Sequence, residues 1–410
     1  MSKELMIASI ILIASVALIA FTYVGYPALV YALSRAFGRR VKAAEITPKI
    51  SVIIAAYNEE RDIARKIEET LALDYPGEKL EIIVASDCST DRTDEIVKGF
   101  ADRGVILHRR PERLGKTSAQ NHAVPVSTGE ILVFSDATTR YEPDALRKIV
   151  RGFADPEVGC VTGNVVYVDR SATAVGMGLR SYWGYEFFIK QCESRLGSLL
   201  GVCGCLYAVR RSAYVQLDPD MSSDFVIASE IHLQGLRTIY DPEAVSSEDT
   251  NKRSREEFRM RVRIIEQTMS ALYRYRRVLN LRKHKMFAFQ MICHKALRYA
   301  VPFLLVVAFG ANLPLLGAGV VYQLAFVGQA AFYLLALVGW LSDSVGLRLG
   351  PLAFPYYFVL SNAASIVAFK KFIGGESHVT WEPTREGQPP GQGADYRNTP
   401  EGLMDGRSAG

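Results

Sequence analysis

Charge is missing from three long stretches of this 410-residue chain, and that absence shapes the first reading. Leu5 to Leu33, Val301 to Leu341 and Leu349 to Phe369 hold no Asp, Glu, Lys or Arg. A membrane helix needs about 20 such residues, so the first and third are one span each. The second is long enough for two spans, hinged near Gly310-Ala-Asn-Leu-Pro314. Cysteine is scarce too. Six in a chain of this size exclude a disulfide scaffold, and the Cys203-x-Cys205 spacing is tighter than a zinc pair and has no matching second pair. Reduced, partly buried thiols fit that pattern and fit a cytosolic face. There is no G-x-x-x-x-G-K-[ST] loop, no G-x-G-x-x-G and no internal repeat. ATPase, dinucleotide and solenoid readings therefore lose support.

What is present is a basic excess near the apolar runs. Lys3 precedes the first run, whereas Arg35, Arg39, Arg40 and Lys42 follow it. The positive-inside rule puts the following residues in the cytoplasm. A cleaved signal would need an apolar core of only ~7–15 residues, far shorter than this one. The net charge of +5 gathers in clusters such as Arg274 to Lys285. Beside a span, such a cluster answers to anionic lipid head groups and not to nucleic acid. The chain reads as an integral protein of a bacterial or archaeal cell membrane, with residues 1–43 a span and basic linker. Residues 44–280 form a cytosolic domain, 281–373 an interfacial helix with about three spans, and 374–410 a polar, disordered tail. Three downstream spans would leave the tail outside. An interfacial helix over Met286 to Tyr299 would restore the parity.

The cytosolic domain is α/β. Ile50 to Ala55, Glu81 to Ser86, Gly104 to His108 and Ile131 to Phe134 read as strands, separated by helical segments. That alternation implies a doubly wound, mostly parallel sheet with right-handed crossovers. Two of the apolar runs end in an acid, Asp87 and Asp136. Ligands gather beyond the carboxyl ends of parallel strands, so these carboxylates meet at one edge. Hard oxygens there suit Mg²⁺ or Mn²⁺. Lys116 opens a helix, and Gly115 beside it lets backbone approach an anion. Ser89 or Thr90 is a plausible cap for the helix that follows Asp87. Ser171 to Leu200 reads as a helix whose Tyr182, Trp183, Tyr185, Phe187 and Phe188 suit either a membrane surface or a core.

Four segments then carry a resemblance: P-K-I-S-V-I-I-A-A-Y-N-E-E, I-V-A-S-D-C-S-T-D-R-T, R-L-G-K-T-S-A-Q-N-H-A and V-F-S-D-A-T-T-R-Y-E-P-D-A-L. In order and spacing they resemble the successive motifs of family 2 glycosyltransferases, and the flanking spans resemble the hyaluronan, chitin and cellulose synthase group. The resemblance covers about Pro48 to Arg277. It implies a GT-A fold and transfer, with inversion, of a sugar from a nucleotide-sugar donor, usually a UDP-sugar, to a growing β-linked polysaccharide. Ala55, Tyr57, Glu59 and Asp87 would hold the nucleoside, with Lys116 near the diphosphate and Asp136 on the Mg²⁺ or Mn²⁺. Cys203 and Gly204 fall where the acceptor's terminal sugar rests. Ser222-Ser223-Asp224 matches the acidic T-E-D position, making Asp224 the general base, with a helix N-cap as its alternative. Arg263 falls on the arginine of Q-x-x-R-W and would stabilise the departing diphosphate.

The chain departs from the pattern as well. Thr138 stands at the second acid of D-x-D, and Met260 and Ile264 replace Gln and Trp. These changes bear on metal affinity and on processive polymerisation more than on transfer itself. Single transfer to a lipid or polyprenyl-phosphate acceptor is the alternative of the same chemistry. A catalytically weak membrane scaffold subunit is the alternative of another class.

Overall fold

The computed structural model describes residues 2–168, 174–249, 254–345, 347 and 350–375. Of the expected helix over Ser171 to Leu200, the backbone is helical over Ala174–Leu196, while the side chains of Tyr182 and Trp183 lie outside the described residues, as does the tail from 376.

β-Branched and aliphatic runs set the centre. β1 (Ile50–Ala56), β2 (Leu80–Ser86), β3 (Val105–Arg109) and β4 (Ile131–Asp136) run parallel, paired in the order β3-β2-β1-β4. β1 is buried along its whole length, as a continuous apolar strand in a two-faced sheet should be. The sheet then extends to eight strands, β3-β2-β1-β4-β7-β6-β8-β5, through β5 (Arg140–Tyr141), β6 (Val158–Val168), β7 (Leu206–Arg210) and β8 (Arg237–Asp249). β7 is antiparallel to both β4 and β6, whereas β6 and β8 are parallel. The sheet is thus mixed, with its parallel half carrying the motifs. Val158 to Val168 forms a single strand, bent by register shifts between Val158/Cys160 and Thr162/Asn164.

Two apolar layers cover the sheet. Ile63 and Ile67 pack under Ile50, Val52 and Ile54 on one face. Ala119, Phe134, Tyr207, Phe225 and Val226 fill the other. The expected cap at Ser89 or Thr90 is not used. The helix is Thr93–Lys98, and the Asp91 carboxylate accepts from the Thr93 amide at 3.0 Å. Ser89 and Thr90 instead knit two loops together, with Ser89 Oγ accepting from the Asn58 amide at 3.1 Å and the Thr90 amide donating to Asn58 Oδ1 at 2.7 Å.

Among the described residues, four helices are long and apolar enough to cross a membrane: Lys3–Phe37, Leu281–Leu315, Val320–Ser344 and Gly350–Ile373. The stretch expected as an interfacial helix is continuous with the second of these. The domain is locked to the spans at several points among the described residues. Val262, Ile265 and Met269 of the helix Ser254–Arg274 pack on Ala364 and Ala368 of the last span. Deeper, Tyr26 donates to Glu193, His294 Nδ1 lies 2.7 Å from the same carboxylate, and Arg298 reaches Glu186. Buried charges persist only when paired and hydrogen-bonded, and these are.

His232 couples the helix Ser223–Leu233 to the chain entering the second span. Its ring stacks on Phe287 at 3.9 Å, and Nε2 lies 3.1 Å from His284 Nδ1. Burial, and secondarily the neighbouring His284, push its pKa down to about 4. Between the usual histidine range and pH 4 the unfolded chain takes up a proton that the folded chain refuses, so stability falls as pH drops through that window. His232→Leu should therefore lose less apparent Tm than wild type when thermal unfolding in detergent is moved from pH 7.5 to pH 5, by several degrees. Equal losses would refute the coupling.

Candidate active site

Strand register assembles the site. Ala55 pairs with both Ala85 and Asp136, so the ends of β1, β2 and β4 finish level with one another. Antiparallel pairing of Ser135 with Leu206 then brings the segment before β7, including Gly204, just beyond Asp136. Asp136 forms an ion pair with Lys116 at 2.5 Å, and the same ammonium donates to the Gly204 carbonyl at 3.2 Å. A Cβ on Gly204 would stand 2.8 Å from Asp224 Oδ2 and 3.4 Å from Lys116 Nζ. Four residues separated widely in sequence thus meet at one point.

Each is held by a local device. Gly115 has φ 90°, a conformation that side-chain-bearing residues rarely adopt, and its amide donates to Asp87 Oδ2 at 2.7 Å. The Leu114 amide donates to Asp87 Oδ1 at 3.0 Å. Asp87 is completely buried and so acts as the clamp that aims the start of the helix Lys116–Ala123. Asp224 is not the helix cap. Ser222 occupies that position, and its hydroxyl donates to Asp224 Oδ1 at 2.5 Å, leaving Oδ2 toward Gly204. Arg263 is half-buried and makes no hydrogen bond among the described residues. Burial lowers its pKa, while Asp224 and then Asp136 act to raise it, so the guanidinium lies within electrostatic reach of both acids. Burial opposes the charge on Lys116 as well, but Asp136 and Asp224 outweigh it and hold the ammonium above the ordinary lysine value.

The other expected residues fall into two groups. Tyr57 lies under the Arg113 guanidinium, 3.8 Å from ring centroid to Cζ, a flat platform near the Asn58 loop. The Glu59 amide donates to Thr93 Oγ1 at 2.7 Å, and the residue is buried with the loops. Ala55 is enclosed in β1. Cys203 is turned inward, its thiol 3.0 Å from Cys205 Sγ and its amide donating to Thr162 Oγ1 at 2.7 Å. Of the two expected acceptor residues, Gly204 alone touches the acids.

Two further charged groups were not anticipated. Lys66 is wholly buried, donates to the Thr139 carbonyl at 2.8 Å and sits 3.6 Å from the Tyr141 ring centroid. Burial pushes its pKa down to about 7 despite nearby Glu69 and Asp136. Glu248, near the end of β8, accepts from Thr139 Oγ1 at 2.7 Å; burial, with Asp136 adding, raises its carboxyl to about 7. The rule that singled out Asp87 and Asp136, a strand ending in an acid, also describes Ser246-Ser-Glu-Asp249. The serines hid it.

The implied divalent cation can be tested against these donors. The Asp136 carboxylate is partly exposed and already holds one cation, the Lys116 ammonium. Its oxygens and the exposed Thr138 hydroxyl are hard donors suited to Mg²⁺ or Mn²⁺. No three His, Cys, Asp or Glu side chains converge among the described residues. The residues thus fit a cation that takes part of its shell from a diphosphate and water.

With this geometry, residues 51–217 match the family model "Glycosyl transferase family 2". The chain carries a glycosyltransferase family 2 domain with a GT-A-like fold. It is 29% identical over 202 residues to a poly-beta-1,6-N-acetyl-D-glucosamine synthase of Staphylococcus aureus, covering 48% of each chain. It is 28% identical over 216 residues to a probable glycosyltransferase, YdaM, of Bacillus subtilis, covering 49% of this chain and 50% of that one. The chain thus spans about half the length of these curated relatives. Among solved structures, the mannosyltransferase PcManGT of Pyrobaculum calidifontis, in complex with GDP-Man and Mn²⁺, is 26% identical, with a TM-score of 0.67. That match covers 89% of this chain and 99% of the other.

The acceptor side offers a direct check. Gly204→Ala forces its new methyl against Asp224 and Lys116, and a displacement of about 1 Å can cost about 100-fold in rate. We expect a fall in turnover of about 10–100-fold, with apparent Tm unchanged within a few degrees. Wild-type turnover would show that Gly204 does not border the reacting groups.

Proposed function

We propose that this protein is a membrane-embedded, inverting glycosyltransferase that moves a sugar from a nucleotide-diphosphate donor to an acceptor at the membrane. The convergence of Asp136, Lys116, Gly204, Asp224 and Arg263 on one sheet edge, within a family 2 domain, carries the reading. Tyr57 with Arg113 provides a surface for the base, and Lys116 and Arg263 bind and orient the diphosphate. Asp224 takes the proton from the acceptor hydroxyl as that oxygen attacks the anomeric carbon from the face opposite the diphosphate. One carboxylate on the acceptor side suffices for a single inverting displacement. A bound Mg²⁺ or Mn²⁺, held by Asp136, would neutralise charge growing on the leaving diphosphate.

The acceptor is a growing β-linked polysaccharide, a reading supported by the likeness to the poly-beta-1,6-N-acetyl-D-glucosamine synthase. The helix that carries Arg263 rests on the last span, which favours an acceptor presented at the membrane. The flanking Arg35, Arg39, Arg40 and Lys42 favour a cytoplasmic domain. The second reading is single transfer to a lipid acceptor; on the donor side, the likeness to PcManGT, solved in complex with GDP-Man and extending over 89% of this chain, supports a GDP-sugar.

Nucleotide release by purified, detergent-solubilised protein separates the possibilities. A panel of UDP- and GDP-sugars with Mn²⁺ or Mg²⁺ should yield release with one donor. Product size and lipid extractability then distinguish polymer from glycolipid. Silence across the panel, with oligosaccharide and lipid acceptors supplied, would overturn the enzyme reading in favour of a scaffold subunit.

A further inference from the structure

Thr138 leaves the expected pair of acids one carboxylate short, and the fold brings another carboxylate toward the gap. β4 is antiparallel to β7, β7 to β6, and β6 is parallel to β8, so β4 and β8 point the same way. Their carboxyl ends therefore lie on one edge of the sheet. Arg140 pairs with Ser247 in the short β5–β8 ladder, which draws the turn after Asp136 against the end of β8. The Thr139 amide donates to the Asp136 carbonyl at 3.4 Å, and its hydroxyl donates to Glu248 Oε1 at 2.7 Å. Glu248 Oε2 has no hydrogen-bond partner among the described residues. Thr138 and Glu248 line the same small cavity, about 20 Å³, together with Arg140, Val168, Ser247 and Asp249. That volume holds one water-sized occupant.

We propose that Glu248, reaching across from β8, is the second carboxylate of the Asp136 cation site, supplying from a distant strand the charge that Thr138 lacks. The proposal rests on the nucleotide-sugar reading above, because a site with two protein carboxylates needs diphosphate oxygens to complete the shell of Mg²⁺ or Mn²⁺. It also accounts for a half-buried acid held against the D-A-T turn by a single hydrogen bond.

Mn²⁺ binding to the full-length, detergent-purified protein, followed by electron paramagnetic resonance with UDP and separately with GDP, tests this without turnover. Glu248→Gln should weaken Mn²⁺ by about tenfold or more. Adding Thr138→Asp to that variant should restore most of the loss, a rescue that a merely structural role for Glu248 would not produce. Should Glu248→Gln fail to fold, Thr138→Asp in the wild-type background still decides, since a third carboxylate should tighten Mn²⁺ severalfold, and no change overturns the assignment. Wild-type affinity in a folded Glu248→Gln, beside a loss in Asp136→Asn, overturns the role of Glu248 alone. No Mn²⁺ binding by wild type with either nucleotide overturns the cation site itself and, with it, this proposal.

Discussion

Asp224→Asn is expected to lower sugar transfer by about 10²–10⁴-fold, the range that a positioned general base contributes. The substitution keeps the volume beside Gly204 and an oxygen for the Ser222 hydroxyl to reach. What it removes is the ability to take a proton from the acceptor. The loss should fall on kcat, with the donor KM moving only a few-fold, because Lys116, Arg263 and the Tyr57 platform remain. The Lys116–Asp136 ion pair also survives, so the apparent Tm should change little. A variant that keeps more than a tenth of wild-type turnover would remove Asp224 from its role and leave the inverting displacement without a base.

Arg263→Ala should cost about 10²–10³-fold, comparable with deleting one preorganised group at a developing negative charge. The guanidinium lies within electrostatic reach of Asp224 and Asp136 and makes no hydrogen bond among the described residues, so its deletion strands no hydrogen-bond partner. Val262 and Ile265, which hold the helix on the last span, are untouched. Arg263→Lys should recover a minor part of the activity, since a point charge cannot reproduce a planar fork on a diphosphate. Arg259, exposed on the same helix, is the control. If the basic face serves only anionic lipid, Arg259→Ala and Arg263→Ala will behave alike, and the assignment fails.

The departures from the family pattern acquire a physical meaning in this geometry. Ile264, in place of an aromatic platform, is exposed, so that position offers no stacking surface. Met260, in place of glutamine, removes an amide that could bind the acceptor. Both changes weaken contacts expected along a bound polymer and leave the charged centre intact. Thr138 differs in kind, because it changes the charge of the centre, and its compensation lies on another strand.

Much of the chemistry was legible because it depends on short-range pattern. Ile50 to Ala56 and Ile131 to Phe134 are apolar runs with an abrupt polar end, and such runs become buried parallel strands. Asp136 and Lys116 follow from that reading, and Asp224 and Arg263 from motif likeness. Other roles were not legible. Asp87 reads as a ligand-facing acid, yet it is completely buried by the amides of Leu114 and Gly115, contacts that appear only when the next crossover closes on it. Cys203 shares a motif with Gly204, but the turn before β7 sends one toward Cys205 and the other toward the acids. Lys66 looks like a solvated lysine on an amphipathic helix. Its ammonium is buried because β5 crosses over it.

By itself the amino-acid order determined the apolar spans, the parallel strands and the acids at their ends, since hydrophobic periodicity and strand length are properties of neighbours in sequence. Tertiary structure decided which acids face one another. β7 enters antiparallel beside β4 and β8 returns parallel to β6, so Gly204, Asp224 and Glu248 come to the edge set by β4 from roughly 70 to 110 residues away. No local pattern encodes that register, because it is the packing of two helical layers and the hydrogen-bond pairing of distant strands that make one arrangement bury the core.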